Sequence, residues 1–174
     1  INCMSKSILI YGSLVLVLAV LLIFWLSNRD TTFDPGDVTN YPPEGNTVVA
    51  FGDSLVSGVG ADTPGGFVTL LSQKIDVPLI NLGRGGDTTA YGLNRLDLVQ
   101  RENPDVVLLL PGGNDFLKRI PTKTVFSNLG MIIDRLQEDG AIVVLLRVRG
   151  GLLGDRHEEN FEDLANQHGA AYIP

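Results

Sequence analysis

Thr47-Val48-Val49-Ala50-Phe51-Gly52-Asp53-Ser54 is the stretch whose reading decides the fold. Five apolar or β-branched residues in a row, cut off by a glycine turn, describe a strand buried on both faces. The pattern recurs downstream. Val77–Leu82 (VPLINL) runs into Gly83-Arg84-Gly85-Gly86-Asp87, and Asp105–Leu110 (DVVLLL) runs into Pro111-Gly112-Gly113-Asn114-Asp115. Ala141–Val148 is a fourth run, and Ala171–Ile173 looks like the start of a fifth. Helical patterns fill the intervals at Phe67–Ile75, Thr89–Arg101, Thr122–Glu138 and Glu158–His168. In the third, Val125, Leu129, Ile132, Ile133 and Leu136 fall on one helical face, and Gly140 stops it. Strand and helix alternating in this way predict an α/β fold, a doubly wound parallel sheet.

In such a sheet ligands bind beyond the carboxyl ends of the strands. The three glycine-rich turns each follow a different strand, so the fold gathers them along one edge. The first turn offers Ser54, whose hydroxyl can enter the crevice. The second offers backbone N–H groups at Gly85, Gly86 and Asp87, with glycine permitting close approach. The third offers the side-chain amide of Asn114, a neutral donor. A serine oxygen beside converging neutral donors is the layout of an acyl-transfer site, in which the donors stabilise the oxyanion formed when serine attacks a carbonyl. Each turn taken alone is commonplace as a tight connection. The three in order, each after its own strand, carry the reading.

Those blocks, Gly52-Asp53-Ser54-Leu55, Asn81-Leu82-Gly83-Arg84-Gly85-Gly86-Asp87 and Gly112-Gly113-Asn114-Asp115, resemble the SGNH, or GDSL-type, hydrolase family, from about Tyr41 to Pro174. The nearest subgroup is similar to bacterial arylesterases and to the acyl-CoA thioesterase/lysophospholipase. The resemblance implies a flavodoxin-like sheet and a serine ester hydrolase acting on carboxylic esters or thioesters through an acyl-enzyme. It makes Ser54 the nucleophile. The N–H of Ser54, the N–H of Gly86 and the amide of Asn114 become the oxyanion hole, while Asp53 and Asp115 shape their turns. It implies no metal or organic cofactor, and a small ester, thioester or lysophospholipid as substrate. A carbohydrate O-acetyl esterase of the cell envelope is the alternative within the family. A non-catalytic binding module is the alternative outside it, disfavoured because neither Gly-x-Gly-x-x-Gly nor a Walker-type Gly-Lys-Ser/Thr is present.

One family element has no counterpart. The base of these enzymes is a histidine in an Asp-x-x-His block after the fifth strand. The only two histidines here are His157 and His168. Asp155-Arg156-His157 has the wrong spacing, and His157 is read as an exposed histidine at a helix start, with a place on the pocket rim as the alternative. His168, at a helix end before Gly169, is read as structural, since a cation suits that position. Residues 47–174 are therefore expected to be a hydrolase domain lacking its C-terminal end, with poor activity and solubility on its own.

Upstream, Ile8–Leu26 (ILIYGSLVLVLAVLLIFWL) contains no charged residue. As a helix it would span roughly 28 Å, close to the ~30 Å bilayer core. Lys6 precedes it, and Arg29 and Asp30 cancel after it, so the positive-inside rule orients the remainder outward. Residues 1–29 are expected to be a single-pass inner-membrane anchor, with a cleaved signal peptide and an exported soluble protein as the alternative. Residues 30–46, rich in Pro, Gly and Asp, read as an extended linker. The net charge of −7, without a basic cluster, excludes nucleic acid as a partner. A single cysteine, Cys3, excludes a disulfide-stapled class.

Overall fold

The computed structural model describes residues 35–147 and 157–174. They form a five-stranded, all-parallel sheet in the order β2-β1-β3-β4-β5, the doubly wound arrangement expected. The strands are β1 (Val48–Gly52), β2 (Leu79–Gly83), β3 (Val106–Leu110), β4 (Ile142–Leu146) and β5 (Ala171–Ile173). Between them lie α1 (Ser54–Ser57), α2 (Gly66–Ile75), α3 (Thr89–Asn94), α4 (Leu96–Gln100), α5 (Gly113–Leu117), α6 (Thr122–Glu138) and α7 (Glu158–His168). The chain leaves β1 toward β2 on one side, then crosses back to β3 on the other. The point where winding reverses is the gap between β1 and β3, and sheets of this kind open their crevice there.

Strand periodicity sorts the core. Val49 and Phe51 of β1, Val107 and Leu109 of β3, and Val143 and Leu145 of β4 point to one face. They pack there against Leu96 and Val99 of α4, the Val125–Leu136 stripe of α6, and Phe161 and Leu164 of α7. Fully burying one such side chain contributes about 1.5 to 3 kcal/mol, and this face carries most of the burial. The opposite face is thinner: Ala50 and Leu110 meet Val56 of α1 and Val68 of α2.

Two expectations are corrected. Thr89–Arg101 is not one helix but two, broken at Arg95, whose backbone (φ −119°, ψ 20°) leaves the α-helical region. The break lets Leu96 and Val99 reach the core while the Arg95 side chain turns toward the strand ends. The stretch read as an extended linker is, in its described part, bound to the domain. Val38 is buried with Ile142 and Ala171, and the Thr39 N–H donates to the Gly169 carbonyl (2.9 Å). The Asn40 side chain donates to the carbonyls of Gln137 (2.9 Å) and Ala141 (3.0 Å), closing the exposed end of α6. A short apolar residue and an amide within reach of unpaired helix carbonyls suffice to hold it. The apolar block at 8–26 lies outside the described residues. Among the described residues no helix is long and apolar enough to cross a membrane.

Candidate active site

Gly52 ends β1 because nothing larger fits. A Cβ there would lie 2.2 Å from the Leu110 carbonyl oxygen of the neighbouring strand. The chain then turns at Asp53, whose carboxylate accepts the Leu55 N–H (3.0 Å) and caps the one-turn helix α1. Ser54 is the first residue of that turn. Gly83 ends β2 under the same constraint, since a Cβ would meet the Ser57 nitrogen at 2.2 Å. The two strand ends and α1 are thus packed backbone to backbone.

The three turns converge as the sequence predicts. A Cβ on Gly85 would come 4.0 Å from the Ser54 Cβ, so the second turn faces the serine. Gly86 adopts φ +83° with open space where a side chain would be. The Asn114 amide donates to the Asp87 carbonyl (2.8 Å) and lies 3.4 Å from the Asp53 carboxylate, tying the third turn to the other two. Asp115 is fully buried and accepts from the Thr89 N–H (2.8 Å) and the Thr89 hydroxyl (2.7 Å), capping α3. Asp53 and Asp115 therefore spend their carboxylates on turn geometry. Burial pushes the Asp53 carboxyl above its usual value; the Leu55 N–H opposes this, and the nearby Asp87 and Asp115 charges add to it. Among the described residues no group of three or more acidic, histidine or cysteine side chains could hold a metal ion.

Beside the serine turn lies an apolar cleft of about 80 Å³, lined by Asp53, Leu55, Leu110, Pro111, Phe116 and His157 among others. His157 is not exposed as read. It is half-buried on the cleft wall, its ring stacked on Phe116 with centroids 4.6 Å apart. The aromatic partner, two residues past Asn114, draws it in, so the exposed reading is corrected toward the alternative on the pocket rim. His168 ends α7 paired with Asp134, at the edge of the sheet where strands begin. Neither histidine reaches Ser54 through a described contact.

Sequence reasoning missed Arg95. Its side chain is only 11% exposed and sits beneath the turns, paired with Asp87 and hydrogen-bonded to two strand-end carbonyls. The available signal was a cation amid the apolar spacing of Leu93, Leu96 and Val99.

Similarity to known proteins agrees with this geometry. The chain is 35% identical to an arylesterase of Vibrio mimicus over 124 residues, covering 67% of this chain and 62% of that protein. It is 34% identical to Esterase TesA of Pseudomonas aeruginosa over 109 residues, covering 59% and 54%. The chain thus spans less than two thirds of the length of these relatives. AlinE4, an SGNH-hydrolase family esterase of known structure, superimposes with a TM-score of 0.65 at 30% identity, covering 75% of this chain and 76% of that one. The psychrotrophic esterase EstA from Pseudoalteromonas sp. gives 0.65 at 28%, covering 74% and 76%. Residues 50–174, from β1 to the final residue, match the GDSL-like Lipase/Acylhydrolase family, and the chain belongs to it.

Proposed function

We propose that the protein is a serine ester hydrolase acting on carboxylic esters or thioesters, with Ser54 as nucleophile. The observation that carries this is the meeting of three separate turns around one serine: Gly85 against Ser54, and the Asn114 amide against Asp87. In this reading the Ser54 oxygen attacks the acyl carbon while a base accepts its proton. The charge developing on the carbonyl oxygen is met by the N–H groups of Ser54 and Gly86 and by the Asn114 amide. Such preorganised donors are worth about 100- to 1,000-fold each in rate. Collapse of the tetrahedral adduct breaks the bond to the alkoxide or thiolate, which leaves protonated. Water then attacks the acyl-enzyme and releases the acid.

The apolar lining of the cleft, with Leu55, Leu110 and Phe116, suits an apolar acyl or aryl group, which supports an arylesterase- or thioesterase-like substrate over an acetylated sugar. The uncharged block at 8–26, outside the described residues, supports an anchor that presents the domain on the outer side of a bacterial inner membrane. The test is fluorophosphonate labelling of the intact protein followed by peptide mass mapping. Stoichiometric label on Ser54, lost in Ser54→Ala, is the expected result. An unreactive wild-type protein refutes the reading and favours a binding module.

A further inference from the structure

Arg95 joins the first two turns directly from a single guanidinium and reaches the third through Asp87. Its Nη2 donates to the carbonyl of Gly52 (2.9 Å), two residues before Ser54. Its Nη1 donates to the carbonyl of Leu82 (2.9 Å), at the start of the turn that carries Gly86. Its Nε–H donates to the Asp87 carboxylate, and the backbone carbonyl of that same Asp87 accepts the Asn114 amide at 2.8 Å. The plane is held from one more direction, with Cζ 4.3 Å from the centroid of the Phe51 ring.

A guanidinium is a rigid planar fork with donors at fixed angles. Here that rigidity acts as a spacer. The end of β1, the end of β2 and the residue that seats Asn114 cannot drift apart without breaking a charge-assisted hydrogen bond. Burying a cation is costly unless it is paired, and the Asp87 carboxylate supplies the pair. A hydrophobic side chain could fill the same space without that desolvation cost. It could not hold two strand carbonyls and a carboxylate in register.

We propose that Arg95 is a positioning residue that sets the spacing between the Ser54 nucleophile and the donors at Gly86 and Asn114. The proposal rests on the Ser54 reading. Arg95 touches no substrate, so it acts on the chemical step through geometry, and a displacement of about 1 Å in such a site costs about 100-fold in rate.

The experiment uses the intact protein and two readouts: hydrolysis of a p-nitrophenyl ester, and the rate of fluorophosphonate labelling per titrated active site. Counting sites separates slower chemistry from a smaller folded fraction. Arg95→Ala is expected to lower kcat about 100-fold with KM nearly unchanged. Millimolar guanidinium is expected to restore part of the loss, and methylammonium at equal concentration is not. Arg95→Lys, which keeps the charge but not the fork, is expected to fall between, about tenfold down. A rate per site that stays near wild type in either variant overturns the proposal, as does equal rescue by methylammonium. If Arg95→Ala fails to fold, Arg95→Lys decides. The wild-type protein gives an independent check by nitrogen NMR. Threefold anchoring predicts separate, slowly exchanging Nη signals for Arg95, and averaged signals contradict it. An unlabelled wild type refutes the Ser54 reading itself, whereas a labelled wild type with unimpaired Arg95 variants refutes only the role of Arg95.

Discussion

Asp115→Ala removes the acceptor that joins the third turn to α3, and its cost can be worked from the contacts. The carboxylate is fully buried and accepts two hydrogen bonds, from the Thr89 N–H at 2.8 Å and the Thr89 hydroxyl at 2.7 Å. Hydrogen bonds to a charged group contribute about 1.5 to 3 kcal/mol each. Truncation loses both and leaves a first-turn N–H of α3 buried without a partner. Relaxation or an entering water recovers part of this, so the net loss is expected to be about 3 to 5 kcal/mol. Asp115→Asn is the informative control. Its amide oxygen can still accept the Thr89 N–H, and its NH2 can donate to the Thr89 oxygen. That oxygen already accepts from the Asn128 amide at 3.0 Å, and the hydroxyl proton is then left without an acceptor. One neutral bond replaces a charged one, so the expected loss is about 1 to 2 kcal/mol. Urea unfolding at pH 7, followed by tryptophan-independent circular dichroism, gives both values, provided the slope m is unchanged. Equal losses for the two variants, or a loss under about 1 kcal/mol for Asp115→Ala, would refute the assignment of Asp115 as a buried cap.

Gly83→Ala and Gly86→Ala separate two reasons for glycine. The first drives a Cβ against the Ser57 nitrogen, which is backbone and cannot step aside, at a cost of about 1 to 3 kcal/mol or more. The second meets open space and pays only for φ +83°, about 1 to 2 kcal/mol, so thermal unfolding should rank Gly83→Ala as the more damaging; the reverse order would contradict the packing described at the β2 end. Asp53, held above its usual value chiefly by burial, binds its proton more tightly folded than unfolded. Its ionisation therefore removes stability as pH rises from the unfolded value of 3.8 through the raised folded value. Asp53→Asn, which keeps an acceptor for the Leu55 N–H, should gain on wild type over that rise in urea titrations, and parallel pH profiles would refute the burial effect. Asn40→Ala loses two hydrogen bonds to the end of α6 and places alanine at φ +66°, for an expected loss of about 2 kcal/mol. Asn40→Gly should lose less, and no change in either variant would mean that the stretch before β1 is not held in solution.

Periodicity made the sheet legible. A run such as Val106–Leu110 has no polar face and, five residues long with Pro and Gly turns at its flanks, reads as a strand covered on both sides; a helix between such strands imposes parallel order. The ends of the elements followed from glycine and from the α6 stripe. The turns that carry Ser54, Gly86 and Asn114 were legible because each follows a strand end and is rich in glycine. Helix α3–α4 was not legible as two pieces. Arg95 breaks it through groups 13 and 43 residues away, at Leu82 and Gly52. The half-burial of His157 was legible only as the lesser alternative, a place on the pocket rim, because it depends on Phe116, 41 residues earlier in the chain. The docking of Asn40 depends on helix carbonyls near Gln137 and Ala141.

The amino-acid sequence by itself determined the layered architecture, the edge of the sheet where chemistry would gather, and the residue types that could perform it. These are set by short-range patterns, in which burial and turn sterics act on neighbours along the chain. Only the tertiary structure decided how those turns are held together: by a buried guanidinium bridging two strands, by a carboxylate capping a distant helix, and by an aromatic pair forming one wall of the cleft. Each of these joins residues far apart in sequence, and a hydrogen bond or ring contact leaves no periodic trace until the fold has brought its two halves within reach.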